Sequence, residues 1–254
     1  MHLRDNTPRA LAKVPALTFG FWVIKVLATT LGETGGDTVS MSLGLGYAVG
    51  TVIFMAVFLL AVAAQIRTSR FRPALYWLTV IASTTVGTTL ADFADRSLGI
   101  GYTGGSTLLL GLLLATLFTW HRTLGSIDIG TVASPRAEGF YWLTIMCSQT
   151  LGTALGDWTA DSAGMGYLGA AAVFGGVLLL VAAAWHWSPI SRGTLFWTAF
   201  VLTRPLGAVV GDFLDKPLDH GGLAVSRYGA SVVLLVAIGV CVAVFPQRAA
   251  ARPH

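Results

Sequence analysis

The chain has 254 residues, 54% of them hydrophobic and 11% charged, a formal net charge of +4 and a mean hydropathy of +0.72. Soluble globular domains carry about 25% charged residues, so this composition excludes that class. The basic excess is explained by topology, as shown below; no nucleic-acid motif is present, and nucleic acid is not an expected partner.

Eight apolar runs of roughly membrane-spanning length follow one another: 15–36, 45–65, 73–92, 103–120, 138–156, 166–187, 193–211 and 229–246. The fold expected is an all-α integral membrane protein, a single membrane domain over 1–254 in contact with the lipid bilayer. The first run follows basic residues and imitates a signal peptide. However, Lys25 interrupts it and a repeat begins inside it at Trp22, so it is read as a retained first helix. Cys147 and Cys241 fall inside apolar runs and read as small fillers, not as a disulfide framework.

The helices pair into four two-helix repeats, 15–70, 71–124, 138–190 and 191–247, with a polar, turn-rich linker at 125–137. Their signature is Trp-x9-Gly-x4-Asp-x6-Gly-x-Gly-Tyr, beginning at Trp22, Trp77, Trp142 and Trp197. Three copies are complete through Tyr47, Tyr102 and Tyr167; the fourth drifts, with Gly222 at the Tyr position. Each unit crosses twice, so the four are parallel repeats rather than inverted ones.

Counting eight crossings sorts the charges. Arg4, Arg9, Lys13, Arg67, Arg70, Arg72, Arg122, Arg136, Arg192, Arg248 and Arg252 fall on the side of the termini; Arg96, Lys216 and Arg227 fall on the other. By the positive-inside rule both termini are cytoplasmic. The opposite rim carries the acids.

On the odd-numbered helices a polar and small-residue stripe recurs at helical spacing. The pairs Gly32/Gly36, Gly87/Ala91, Gly152/Gly156 and Gly207/Gly211 allow close helix approach in lipid. The marker tryptophans are expected to pack between helices near mid-depth. The even helices carry no acid on their apolar runs and read as a lipid-facing outer layer. The stripe ends in carboxylates: Glu33 and Asp37, Asp92 and Asp95, Asp157 and Asp161, Asp212 and Asp215. Acids one turn apart present several oxygens to a hard cation, which makes all eight candidate cation or metal ligands and a divalent cation the cofactor they suit. The bland alternative is that each Asp ends a helix and faces water.

Two cations break the symmetry, Lys25 at mid-helix and Arg204 at the stripe position held elsewhere by Thr29, Thr84 and Gln149. Each is expected to pair with an acid, as a coupling or gating group or as a static ion pair. Glu33 has no acidic counterpart in the other units and is the candidate for a residue whose protonation changes. No Cys/His spacing resembles a zinc site, no organic cofactor motif appears, and no nucleophile–base pair suggests catalysis.

The sequence resembles bacterial membrane proteins built from four tandem two-helix repeats, each marked by a tryptophan and catalogued as membrane-anchored proteins of unknown function. The four tryptophans and the stretch Lys25–Tyr47 carry that resemblance. It implies a bacterial inner-membrane location and no particular activity. Locally, Glu33-Thr34-Gly35-Gly36-Asp37-Thr38 looks like the Glu-x-Gly-Asp-Lys/Arg-Thr/Ser signature of manganese and calcium exchangers. It departs from it by one extra residue, by lacking the basic residue and by occurring once.

The function expected is transport of a small cation, a divalent metal or a proton-coupled ion, through an acidic site lined by the odd helices. The alternatives are a non-catalytic structural or sensory membrane component and, third, an intramembrane enzyme using a carboxylate-bound metal.

Overall fold

The computed structural model describes residues 13–250; Arg4, Arg9 and Arg252 of the charge count and the terminal His2 and His254 lie outside them. Eight α-helices follow in order among the described residues: α1 Phe19–Asp37, α2 Gly46–Arg67, α3 Pro73–Asp92, α4 Gly101–Leu124, α5 Pro135–Asp157, α6 Gly166–Trp187, α7 Arg192–Asp215 and α8 Arg227–Val244. Six of them, all but α1 and α5, are long and apolar enough to cross a membrane.

Local chemistry sets the helix ends. The first helix starts at Phe19 rather than at residue 15, because the hydroxyl of Thr18 caps it by accepting from Phe21 N–H. α5 starts earlier than expected, with Pro135 in its first turn and Ser134 accepting from Ala137 N–H, so the linker shortens to 125–134. α4 runs on to Leu124, where Gly125 adopts φ 76° and terminates it. At the other face, Gly44/Gly46, Gly99/Gly101 and Gly164/Gly166 all take positive φ. This is why the Gly-x-Gly tail recurs in three units.

The helices form two layers. α1, α3, α5 and α7 close a ring in which each packs on two neighbours, α7 returning to α1. The outer helices shift by one unit: α2 packs on α3, α4 on α5, α6 on α7 and α8 on α1. Of the apolar stretches, 72% and 61% of the residues in α3 and α7 are buried, against 22%, 22%, 11% and 17% in α2, α4, α6 and α8. Large side chains on the outer helices, such as Leu60, Leu179 and Val233, stand about 70% exposed, which suits lipid and not water. The terminal segments join on one face, through Ala16 N–H to Arg248 C=O and Ala250 N–H to Val14 C=O, both 2.8 Å. Lys13 adds an ion pair to Glu138 at 2.7 Å.

One rule repeats around the ring. A Cβ on Gly32 would strike Thr84, on Gly87 Gln149, on Gly152 Arg204, and on Gly207 Thr29. Each marker glycine thus receives the side chain seven residues after the tryptophan of the next unit, and the fourth receives that of the first. One turn on, Gly36 faces Thr88, Gly156 faces Ala208 and Gly211 faces Glu33 by the same rule. The small residues are therefore sockets for the next helix, and they fix the cyclic order of the units. Many hydroxyls at these interfaces bond back along their own helices, as in Thr30 to Val26 C=O and Thr85 to Ile81 C=O.

Candidate functional site

The ring encloses an axis whose lining changes level by level. At the face of the termini lies an aromatic floor built from the residue before each marker tryptophan: Phe21, Tyr76, Tyr141 and Phe196, all buried. Each ring packs on the tryptophan of the following unit. Phe21 meets Trp77 at 5.5 Å between centroids, Tyr76 meets Trp142 at 5.7 Å, Tyr141 meets Trp197 at 5.9 Å, and Phe196 meets Trp22 at 6.1 Å. Tyr76 and Tyr141 share a hydrogen bond of 2.6 Å between their hydroxyls. The recurrence of an aromatic before every tryptophan is visible in the sequence and is the signal that could have revealed this floor.

The tryptophans themselves lie between the fourth and eighth residues of the inner helices, nearer the face of the termini than mid-depth. Two of their indole N–H groups find acceptors in the C-terminal segment and the linker. Trp77 donates to Gln247 Oε1 at 3.1 Å and Trp197 to Ile127 C=O at 3.0 Å.

Above the floor sits a level of fully buried polar side chains. Arg204 Nη2 donates to Glu33 Oε2 at 3.0 Å, to Thr88 Oγ1 at 2.6 Å and to the hydroxyl of Thr153. Thr88 donates to Glu33 Oε2 as well, at 3.2 Å. The expected pairing of Arg204 with an acid is therefore present. The expected pairing of Lys25 is not: its buried ammonium has no hydrogen-bond partner and stands 4.2 Å from the centre of the Phe200 ring. The reason is register. Lys25 lies eight residues before Glu33, about 12 Å along the helix, and faces the apolar positions of the other units.

The acids occupy the far end. Asp37, Asp92, Asp157 and Asp212 are all at most 3% exposed and are joined in two pairs by two cations. Arg96 bridges Asp92 at 2.9 Å and Asp157 at 3.3 Å; Lys216 bridges Asp37 at 2.8 Å and Asp212 at 3.0 Å. Both cations stand nineteen residues after their unit's tryptophan, where the other units have Met41 and Asp161. The fourfold repeat is thus reduced to twofold by a single position. Burial alone would pull the Lys216 ammonium down, but the carboxylates of Asp212, Asp37 and Asp215 outweigh it and hold the amine well above the ordinary lysine range.

Carboxylate oxygens converge in two sets, each within 4.8 Å: Glu33, Asp37 and Asp92, and Asp37, Asp212 and Asp215. The two pairs are therefore neighbours around one axis. Asp215 is held by Arg227 Nε at 2.7 Å. Two expected ligands stand apart. Asp95 is buried away from the axis with its carboxylate against Gly105 of α4, and Asp161 is exposed.

A backbone feature explains the difference. After the ring aspartate, units one to three enter a five-residue π-helical turn, marked by the bonds Leu43 N–H to Thr38 C=O, Leu98 N–H to Phe93 C=O and Ala163 N–H to Trp158 C=O. The wider turn rotates the next acid off the axis. In unit four α7 runs straight to Asp215, and the longer loop returns through Leu223 N–H to Phe213 C=O, so Asp215 stays with the cluster.

Fold and site together define an all-helical protein of four cyclically arranged repeats, with a membrane-type exterior and a buried acidic axis. The chain matches the family described as Repeat of Unknown Function (DUF347) in four tandem copies, at residues 20–71, 75–126, 140–191 and 195–246, and belongs to it. Comparison with curated proteins and with solved structures finds no match.

Proposed function

We propose that this protein binds and transports a small cation through the acidic end of the inner ring, in a bilayer crossed by all eight helices. The observation that carries this reading is charge balance. Six carboxylates converge on the axis (Glu33, Asp37, Asp92, Asp157, Asp212 and Asp215) and are served by four cationic side chains, Arg96, Arg204, Lys216 and Arg227. Two negative charges remain, in surroundings where an uncompensated charge is strongly unfavourable. One divalent cation balances them, and so do two protons. Hard divalent cations take carboxylate oxygens, and the Glu33–Asp37–Asp92 group offers three close together.

Arg96 and Lys216 act in this reading as tethered counter-cations that hold the aspartate pairs until the transported ion displaces them. Arg96 is the more exposed of the two and has a resting place beside the Tyr47 hydroxyl, at 3.4 Å, and the Tyr102 ring. Glu33, tied to Arg204, is the group whose protonation would couple the cycle. The sorting of basic residues supports cytoplasmic termini, and a bacterial inner membrane is the bilayer we propose.

The test is uptake of manganese or calcium into vesicles containing the purified chain. Asp92→Asn and Asp157→Asn are expected to abolish uptake, Asp161→Asn to leave it intact, and Arg96→Gln to tighten cation binding. Unchanged uptake by folded Asp92→Asn and Asp157→Asn variants would remove these acids from the reaction. A second reading, a non-catalytic structural component, is favoured by the fact that every ring aspartate already accepts a basic side chain. It predicts that no cation raises the melting temperature and that the Asn variants are merely less stable.

A further inference from the structure

Between the aromatic floor and the Arg204–Glu33 bridge, the axis holds a set of polar atoms with no partner among the described residues. They are Lys25 Nζ, Thr84 Oγ1, Arg204 Nε and both amide atoms of Gln149. All four residues are 0% exposed. Thr84, Gln149 and Arg204 share one repeat position, seven residues after the tryptophan, and so lie at one level. Lys25 lies one turn lower on α1, beside Phe200, which is itself one turn below Arg204 on α7. Buried polar groups in helical bundles are almost always satisfied, so four such residues within one turn of each other call for an explanation.

The unpartnered atoms are mainly donors: the ammonium of Lys25, the amide N–H groups of Gln149, the hydroxyl of Thr84 and the Nε–H of Arg204. The charge has the same sense. Arg204 is balanced by Glu33, whereas Lys25 has no carboxylate partner at this level. The acids of the far end do not reach it, because Arg204, Glu33, Thr88 and Thr153 close the axis between them.

We infer that this level is a second internal site, separate from the acidic one, that takes a small monovalent anion of halide size. Lys25 supplies the counter-charge, the Gln149 amide donates a hydrogen bond, and the aromatic floor seals the site from the face of the termini. Lys25, Gln149 and Arg204 each have no like residue at their repeat position in the other units, so the site belongs to the asymmetry of the ring and not to its scaffold.

The experiment uses the purified full-length chain in detergent, with sodium held constant while gluconate is replaced by bromide. A saturable rise in the melting temperature is expected, about 5 °C or more at a hundredfold excess over the dissociation constant. Lys25→Met should abolish it, and Asp161→Asn should respond as the wild type does. A wild-type midpoint that ignores bromide, or a Lys25→Met variant that responds like wild type, overturns the inference. If Lys25→Met does not fold, Gln149→Leu serves: a bromide requirement raised at least tenfold supports the site, and an unchanged one overturns it. Cation uptake through the acidic end does not enter this readout, so either proposal can fail alone.

Discussion

Glu33→Gln isolates the one ion pair that lies wholly inside the ring. The carboxylate accepts from Arg204 at 3.0 Å and from Thr88 at 3.2 Å, and both charged partners are at most 3% exposed. Glutamine preserves the shape and one acceptor but removes the charge that offsets the guanidinium. Breaking a buried pair from one side costs about 3–5 kcal/mol. Arg204 keeps Thr88, Thr153 and the carbonyl oxygens of Thr29 and Thr84 as partners, which argues for the lower end, about 3 kcal/mol. For a chain of this size that corresponds to a melting temperature about 6–12 °C lower. The eight tryptophans allow unfolding to be followed by intrinsic fluorescence in detergent. The double variant Glu33→Gln/Arg204→Met should recover much of the loss, giving a coupling of about 2 kcal/mol or more in a double-mutant cycle. A Glu33→Gln protein within about 0.5 kcal/mol of wild type, or additive effects in the cycle, would refute the pairing.

The sockets give a paired prediction: Gly32→Ala meets Thr84 and should destabilise by about 1–3 kcal/mol, whereas Gly35→Ala, with open space at its Cβ, should stabilise by about 0.5–1 kcal/mol; thermal unfolding of the two variants compares them directly. Tyr76→Phe and Tyr141→Phe should each cost about 1–2 kcal/mol by stranding the other hydroxyl, and the double variant should be nearer to wild type than either single one; denaturation midpoints that fall additively would count against the shared bond. Lys216 has its amine held above the ordinary range, so its contribution is complete below 10.5 and is lost only as pH rises past its folded-state value. Wild type and Lys216→Arg should therefore show parallel melting profiles from pH 7 to 10; divergence across that window means that the lysine loses its proton there.

Much of the molecule was legible from composition and period alone. Eight apolar runs, four copies of one signature and the position of glycine relative to tryptophan determine the number of helices, the parallel order of units and the face that packs inward. These are local properties: hydropathy selects the apolar runs, and a 3.6-residue period selects the face. What only the tertiary structure decided is what each stripe meets. The socket for Gly32 is filled by Thr84 of the next unit and that for Gly207 by Thr29 of the first, a cyclic relation that no single unit contains. The π-helical turn separates Asp95 and Asp161 from the ring while leaving Asp215 in it, although all three follow their aspartates at similar spacing. Lys25 found an aromatic ring rather than an acid because axial register, set by packing, put it below the carboxylates. Arg96 and Lys216, which the sequence marked only as charges on the acidic rim, became the bridges of the site because side chains from four helices converge there, and that convergence is a property of the closed ring.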